Sequence, residues 1–162
     1  MKSKRRLKEE SLEILKELET KSFTVVSTAL DNKPHSANIT YIISGTFLYF
    51  ITNEDSRKAK NILINPNVSL VVTEKSNTPI SIQIQGRAKI VTDKEESIRA
   101  LSNFTKVWYT VDYAPPVLNI PNDKTIMIKV DMKSIQWFQT AEKLEKTTAK
   151  KTEFNYTNKE NA

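Results

Sequence analysis

The stretch that decides the fold of this chain is Leu48-Tyr-Phe-Ile-Thr-Asn-Glu-Asp-Ser-Arg-Lys-Ala-Lys-Asn-Ile62. Its apolar beginning predicts a strand, and Asn53-Glu-Asp55 predicts a turn. A short helix is expected to begin near Ser56, because apolar residues then recur at spacings of three and four. Asn65-Pro66 should end this helix, since the residue before proline is disfavoured in the helical region. The residues on its predicted apolar side are Ala59, Ile62 and Leu63.

The charge at the start of this helix is unusual. Helix N-termini carry a partial positive charge and favour acidic residues, yet Arg57 and Lys58 lie in the first turn. Two cations there disfavour an isolated helix by about 0.3–1 kcal/mol each. A phosphate would bind the free backbone N–H groups, the Ser56 hydroxyl and both cations together. The alternative is a solvated basic turn with Asp55 or Ser56 as an ordinary N-cap.

Two segments of the chain carry a resemblance to a known family. They are Phe50-Ile-Thr-Asn-Glu-Asp-Ser-Arg-Lys-Ala59 and Asn65-Pro66-Asn-Val-Ser-Leu70. Together they resemble the FMN-binding motif of the pyridoxamine 5′-phosphate oxidase-like split-barrel family, in which a strand ending in Thr is followed by Ser-Arg-Lys-Ala, a short helix and Asn-Pro. The resemblance runs from about Phe23 to Phe138. It implies that the Ser-Arg-Lys segment binds the FMN phosphate.

The resemblance implies a cofactor site on three parts of the chain. The first turn of the short helix would hold the phosphate, and the end of the preceding strand would lie along the flavin through its backbone groups. Two polar strand residues would face the cofactor as well, although a solvated sheet face is the alternative for each of them. The predicted cofactor-binding residues are Asn38, Ile51, Thr52, Ser56, Arg57, Lys58 and Ser81.

The resemblance also implies an assembly. Members of the family are homodimers with FMN at the subunit interface, so each site is expected to draw residues from both chains. Trp137 and Phe138 fall near an aromatic residue that approaches FMN in the vitamin oxidases. For Trp108 we expect core packing, with stacking on the partner's flavin as the alternative.

Two differences separate this chain from true vitamin B6 oxidases. Those enzymes carry an Arg and a Lys in the second strand, where this chain has Ser36 and Tyr41. They also have an Arg-x-His substrate motif near the C-terminus, whereas the single histidine here is His35. We therefore expect a short, general family member that does not oxidise pyridoxamine phosphate. The deazaflavin F420 is the alternative cofactor, and haem ligation would depend on His35.

Composition excludes several other classes of site. The chain has no cysteine, which excludes thiol catalysis, disulfides and cysteine metal sites. Gly45 and Gly86 are too few glycines for a P-loop or a dinucleotide-binding fingerprint. No apolar run approaches the roughly 18 residues of a membrane span, so a soluble, cytoplasmic protein is expected, with no membrane partner.

One mainly β domain is expected over residues 1–140, with an N-terminal helix within 1–20 and a polar, flexible tail at 141–162. The helix, Arg5 to Glu19, is amphipathic and should cover one end of a barrel or pack on a partner subunit. The strands should form an antiparallel split β-barrel with inserted helices. They are predicted at Phe23–Leu30, His35–Ser44, Phe47–Thr52, Val68–Thr73, Ile80–Val91, Thr125–Val130 and Ser134–Phe138, the last two as one bent strand in the alternative.

A further helix is expected from Asp93. Glu96 follows three residues later, which predicts a capping box. Its predicted apolar face consists of Ile98, Leu101, Phe104 and Trp108. Before this helix, Gly86 predicts a bulge or a close backbone approach in the long strand.

We expect an FMN-dependent oxidoreductase that acts on an unknown small-molecule substrate, with NAD(P)H as the candidate donor. No residue stands out as a general acid or base, which fits chemistry carried by a flavin. One alternative is a flavin- or F420-binding stress or regulatory module without fast turnover. Another is a basic nucleic-acid-binding barrel, suggested by the net charge of +6. Much of that charge lies at the chain ends, where solvated tails are more common, so nucleic acid is not the expected partner.

Overall fold

The structure is a computed structural model that describes residues 12–74, 80–108, 122–140 and 147–153. Residues 12–19 form helix α1. The remaining elements are β1 (Phe23–Leu30), β2 (Lys33–Ser44), β3 (Phe47–Asn53), α2 (Arg57–Ile64), β4 (Asn67–Glu74), β5 (Ile80–Ile90), α3 (Lys94–Trp108), a 3-10 turn (Asn122–Lys124), β6 (Thr125–Thr140) and β7 (Thr147–Glu153).

The strands form one sheet in the order β3-β2-β1-β4-β5-β6-β7, and an additional pairing between β3 and β6 closes the first six into a barrel. All of these pairings are antiparallel. The β1–β2 hairpin turns through Asp31 and Asn32, whose φ angles of 49° and 58° are positive. Asp and Asn tolerate this left-handed conformation, which tight hairpin turns require. The predicted mainly β split barrel with inserted helices is confirmed.

The barrel interior holds the main core. Inward-facing residues alternate with outward-facing ones along β1 to β6, so each of these six strands contributes an apolar face. Ile14 and Leu18 of α1 are fully buried in the same cluster, and α1 therefore covers one end of the barrel as predicted. The hydroxyl of Tyr41 donates to the Leu18 carbonyl oxygen at 2.9 Å. Residues 5–11 of the predicted helix lie outside the described residues.

Helix α3 covers the outer surface of β2 and β3. Its Ala100 and Phe104 pack with Ile42 and Tyr49 in a second, smaller cluster. The predicted apolar face was right for Phe104 but wrong for Ile98 and Leu101, which are exposed. The Trp108 side chain lies outside the described residues. The packing of α3 on β2 and β3, and not its local sequence pattern, decides which of its apolar residues are buried.

Hydrogen bonds at the start of α3 fix the orientation of this helix on the sheet. Asp93 Oδ1 accepts a hydrogen bond from the Glu96 backbone N at 2.7 Å, which is one half of the predicted capping box. The Glu96 carboxylate does not complete the box. It accepts instead from the Tyr49 hydroxyl at 2.7 Å and from Lys129 Nζ at 2.6 Å. These two bonds fasten α3 to β3 and β6.

The long strand β6 is continuous over Thr125–Thr140, so the alternative of a single strand is confirmed. Opposite it, β5 has a register shift between Gln85 and Gly86. A Cβ at Gly86 would lie 2.6 Å from the Asp131 carbonyl oxygen, so this position is a close backbone approach as predicted.

Strand β7 lies within the predicted polar tail. Thr147–Glu153 pair with Ser134–Thr140 of β6, beyond the part of β6 that pairs with β3. The expectation of a frayed tail was therefore wrong for these residues, because the open edge of β6 gives them backbone partners. The boundary at residue 140 and the flexibility of the rest stay predictions. Among the described helices, none is long and apolar enough to cross a membrane.

Candidate functional site

The site is built where β3 ends and α2 begins. Ser56 is the N-cap of α2, and its Oγ accepts a hydrogen bond from the Ala59 backbone N at 3.3 Å. The same Oγ lies 3.1 Å from Oγ1 of Thr52, which is buried at the end of β3. A hydroxyl has one proton and two lone pairs. When Ser56 accepts from both Thr52 and Ala59, its own proton remains available for a ligand.

Two cations follow this cap. Arg57 is exposed and Lys58 is half-buried, and neither forms an ion pair or hydrogen bond with the described residues. The first turn of α2 contains no acidic residue. Burial lowers the pKa of Lys58 from its ordinary value, because its ammonium group is partly removed from water. The positive end of α2 therefore carries charge that an anion would neutralise.

The neighbouring carboxylate of Asp55 does not neutralise these cations. Asp55 pairs instead with Lys124 at 2.9 Å and more loosely with Lys60 at 3.8 Å. The hydrogen bond from Lys124 lowers the pKa of Asp55, and the same bond raises the pKa of Lys124. The Glu54 backbone N also donates to the Lys124 carbonyl oxygen at 2.9 Å. These contacts connect the turn at Glu54 and Asp55 to Lys124, which directly precedes β6.

The pairing between β2 and β3 ends just before this site, and we call the place where the two strands part the strand split. The two strands pair only from Tyr41–Ser44 to Phe47–Phe50. The preceding part of β2 pairs only with β1, and Ile51–Asn53 pair only with β6 among the described strands. Backbone groups of Ile51 and Thr52 that face the strand split therefore have no partner among the described strands, and a flat ligand edge could bind them. The Ile51 side chain packs against the cluster beneath α3.

The two predicted polar strand residues lie on the outer face of the sheet. Asn38 is exposed on β2, at the rim of the strand split, opposite Val25 of β1. Ser81 lies on β5 opposite Phe138 of β6. Because β1 and β4 lie between β2 and β5, Ser81 is three strand spacings from β2, on the order of 14 Å along the curved sheet. Within one chain, Ser81 is thus not a neighbour of Asn38 on β2.

The fold has counterparts among known proteins. A family model described as pyridoxamine 5′-phosphate oxidase matches residues 7–135. This chain belongs to the pyridoxamine 5′-phosphate oxidase family. The family membership expected from the sequence is therefore confirmed. No curated protein matches the chain.

Several solved structures share the fold of this family member. A FAD-binding protein from Mesorhizobium loti is 19% identical with a TM-score of 0.65, covering 80% of this chain and 94% of that one. The FAD-binding protein from Mycobacterium smegmatis is 19% identical with a TM-score of 0.62, covering 80% and 96%. General Stress Protein 26 from Bacillus anthracis is 25% identical with a TM-score of 0.57, covering 77% and 91%.

This family member differs from the vitamin oxidases at both second-strand positions. Tyr41 points into the barrel and is bound to Leu18, and burial raises the pKa of its hydroxyl above the ordinary value. Ser36 lies on the outer face, where its Oγ is 2.9 Å from the Ser27 Oγ. Neither residue supplies the positive charge that the vitamin oxidases have at these positions.

The face that α2 presents to the barrel was only partly predicted. Ala59 and Ile62 are buried as expected, but Leu63 is 66% exposed and Asn61 is buried in its place. The Asn61 side-chain amide donates to the Thr28 hydroxyl at 3.0 Å. The position of Asn61 beside the apolar residues of α2 was the sequence signal that could have indicated its contact with Thr28.

Sequence reasoning also missed a groove of about 570 Å³ beside α2. It lies between the β1–β2 hairpin and α2, and we call it the hairpin groove. Its charged and polar lining includes Asp31, Lys33, His35, Asp55, Arg57 and Lys60. Arg57 and His35 both line the hairpin groove, although they are far apart in the sequence.

Proposed function

We propose that this chain is an FMN-binding oxidoreductase that works as a homodimer with a flavin at each subunit interface. The observation that carries the proposal is the start of α2, where Ser56 caps a helix whose first turn holds two cations without a partner among the described residues. Membership of the pyridoxamine 5′-phosphate oxidase family supports a flavin, as do the relatives described as FAD-binding proteins.

The residues present fit FMN. Its terminal phosphate matches the Ser56 hydroxyl, the Arg57 and Lys58 charges and the N–H groups of the first turn of α2. A phosphate dianion would also offset the desolvation of the Lys58 ammonium group. The strand split would place the backbone of Ile51 and Thr52 along the ring edge. When bound, FMN supplies the hydride chemistry, while these residues bind and orient it.

The outer face of the sheet supports the homodimer. Phe23, Val25 and Val71 form an exposed apolar stripe, and Val25 and Val71 are paired across β1 and β4. Polar residues flank the stripe, with Asn38 on one side and Gln83 on the other. An apolar centre with a polar rim is the usual composition of a protein interface. A second copy on this face would bring the partner's Ser81 towards a site that one chain leaves incomplete.

The reaction proposed is electron transfer from NAD(P)H through FMN to a small-molecule substrate. Oxidation of pyridoxamine phosphate is not proposed, because Ser36 and Tyr41 replace the second-strand Arg and Lys. A second candidate is a flavin-binding stress module without fast turnover. The 25% identity to General Stress Protein 26 favours this candidate.

Two measurements test the proposal. Purified apoprotein would be titrated with FMN, FAD, riboflavin and F420, and the affinity for FMN should exceed that for riboflavin because of the phosphate. Equal affinities, or preference for F420, would overturn FMN as the cofactor. Anaerobic mixing of the FMN-loaded protein with NADPH or NADH then separates the candidates. Loss of the oxidised-flavin absorbance supports the oxidoreductase, whereas an unchanged spectrum with both donors supports the module.

A further inference from the structure

A second groove of about 570 Å³ lies beside β1, β4 and β5, and we call it the outer groove. Most of its polar side chains alternate along their strands with core residues, so it opens on the outer face of the sheet. Polar groups that converge on one concave space from several strands are typical of a small-molecule site. The polar lining consists of Ser27, Asn67, Ser69, Gln85, Arg87 and Lys133.

The charge of the outer groove is positive. Arg87 and Lys133 line it, and no carboxylate lines it among the described residues. Asp131 lies opposite Arg87 on β6, but its carboxylate binds Lys133 instead. The Arg87 side chain is exposed and has no ion pair or side-chain hydrogen bond with the described residues. One uncompensated cation therefore faces the groove, and it favours an anion of single charge.

A β-bulge brings one of these cations to the groove. The register between β5 and β6 shifts after Gln85, so that Lys133 lies opposite no residue of β5. Lys133 and Ser134 are therefore consecutive residues outside the core. Bulges often redirect a side chain beside a binding site. Here the extra residue adds an ammonium group to the lining of the outer groove.

We propose that the outer groove binds a small organic acid, whose carboxylate lies on the Arg87 guanidinium group. The planar N–H fork of arginine matches the two oxygens of a carboxylate. Ser69 and Gln85 are exposed, have no side-chain hydrogen bond with the described residues and would donate to the same carboxylate. The carbon skeleton of the acid would lie against Ala29 and Pro34, which form an apolar part of the lining.

This site is separate from those proposed above. The start of α2 does not contribute to the outer groove, so the inference goes beyond the FMN function and does not rest on it. The apolar stripe of Phe23, Val25 and Val71 does not line the groove either. The organic acid would therefore bind beside the proposed homodimer face and not on it.

The test compares para-fluorobenzoate with para-fluorobenzamide, which has nearly the same shape but no charge at neutral pH. Binding to the full chain would be followed by ¹⁹F NMR. The acid should bind more tightly than the amide, and Arg87→Gln should weaken binding of the acid at least about 10-fold. Lys89→Gln is the matched control, because it removes an exposed cation of the same strand that lies outside the groove, and it should change nothing.

A second variant separates this site from the start of α2, which is also proposed to bind an anion. The Arg57→Ala/Lys58→Ala protein should keep the wild-type affinity for para-fluorobenzoate. Loss of binding in this variant, with Arg87→Gln unaffected, would place the acid on α2 and overturn the inference while leaving the phosphate site in place. Equal binding of the acid and the amide, or no binding of the acid by the wild-type protein, would also overturn it.

Discussion

Oγ1 of Thr52 lies 3.1 Å from Oγ of Ser56, and this contact joins the buried end of β3 to the first turn of α2. The pair gives the Ser56 hydroxyl a fixed place at the N-terminus of the helix. It also lets Thr52 donate to Ser56, so that the Ser56 proton can point to an anion. The strand end and the helix start therefore form one unit, in which a barrel strand positions a candidate phosphate ligand.

Substitution of Ser56 should separate capping from anion binding. Ser56→Ala removes the cap and should lower the free energy of unfolding by about 1 kcal/mol and weaken FMN binding. Ser56→Asp keeps a good N-cap but adds a negative charge, so stability should be retained while FMN affinity is lost. Denaturant unfolding and FMN titration of both variants check this. Tight FMN binding by Ser56→Asp would contradict the phosphate site.

Replacement of Lys58 should have opposite effects on stability and binding. Its ammonium group is half-buried and has no partner among the described residues, and burial lowers its pKa. Lys58→Met keeps the aliphatic stem and removes the charge, so the free protein should unfold at the same or a higher temperature. The Kd for FMN should rise about 10-fold, the value of one charged hydrogen bond. A melting temperature that falls together with affinity would indicate a structural lysine instead.

The apolar stripe on the outer face predicts the effect of a charge at its centre. Val71 is 39% exposed and Val25 is 37% exposed. Val71→Lys should convert a dimer into a monomer and weaken FMN binding, because each site is proposed to need both chains. Ile98→Lys changes an exposed residue of α3 and should leave the dimer intact. Light scattering after gel filtration distinguishes these results, and a monomeric wild-type protein would contradict the proposed assembly.

Glu96 should stabilise the fold in a pH-dependent way. The hydrogen bond from Lys129, followed by that from Tyr49, lowers the pKa of Glu96. Its contribution is therefore complete above the ordinary glutamate pKa of about 4.3 and is lost as pH falls through the lowered value in the folded state. At neutral pH, Glu96→Gln should cost about 1 kcal/mol.

The matched control for this prediction is Glu95→Gln. The Glu95 side chain is 86% exposed and its contact with Arg99 lies within one helix, so the substitution should have little effect. Unfolding measured at neutral and at acid pH should show the Glu96→Gln deficit shrink in acid. A deficit that is constant with pH would mean that the Glu96 charge is not responsible.

Local sequence patterns predicted the structural features that depend on residues close together in the sequence. The strand alternation indicated the barrel strands, and the Ser-Arg-Lys-Ala segment indicated the start of α2, with Asp55 or Ser56 as its cap. The structure shows that Ser56 is the cap. The close approach at Gly86 also followed, since a glycine inside a strand often marks a place where another part of the backbone comes near.

The misses involve partners distant in sequence. Asn61 replaces Leu63 on the buried face of α2 because Thr28 offers it a hydrogen bond. Lys124 binds Asp55 across 69 residues, which no local pattern shows. Strand β7 was missed for the same reason, since its polar residues form a strand only through the free edge of β6. Tertiary contacts decided each of these cases against local preference.

The most direct test of the phosphate site is a titration with FMN of the wild-type protein, an Arg57→Ala/Lys58→Ala double variant and a control variant. The control is Lys94→Ala, which removes an exposed cation from the first turn of α3. Flavin absorbance and fluorescence would follow binding, and riboflavin would be titrated in parallel. The double variant should lose at least about 100-fold in FMN affinity, while Lys94→Ala should not change it and riboflavin affinity should stay constant. Equal FMN affinity in the wild-type protein and the double variant would contradict the central claim that α2 binds the cofactor phosphate.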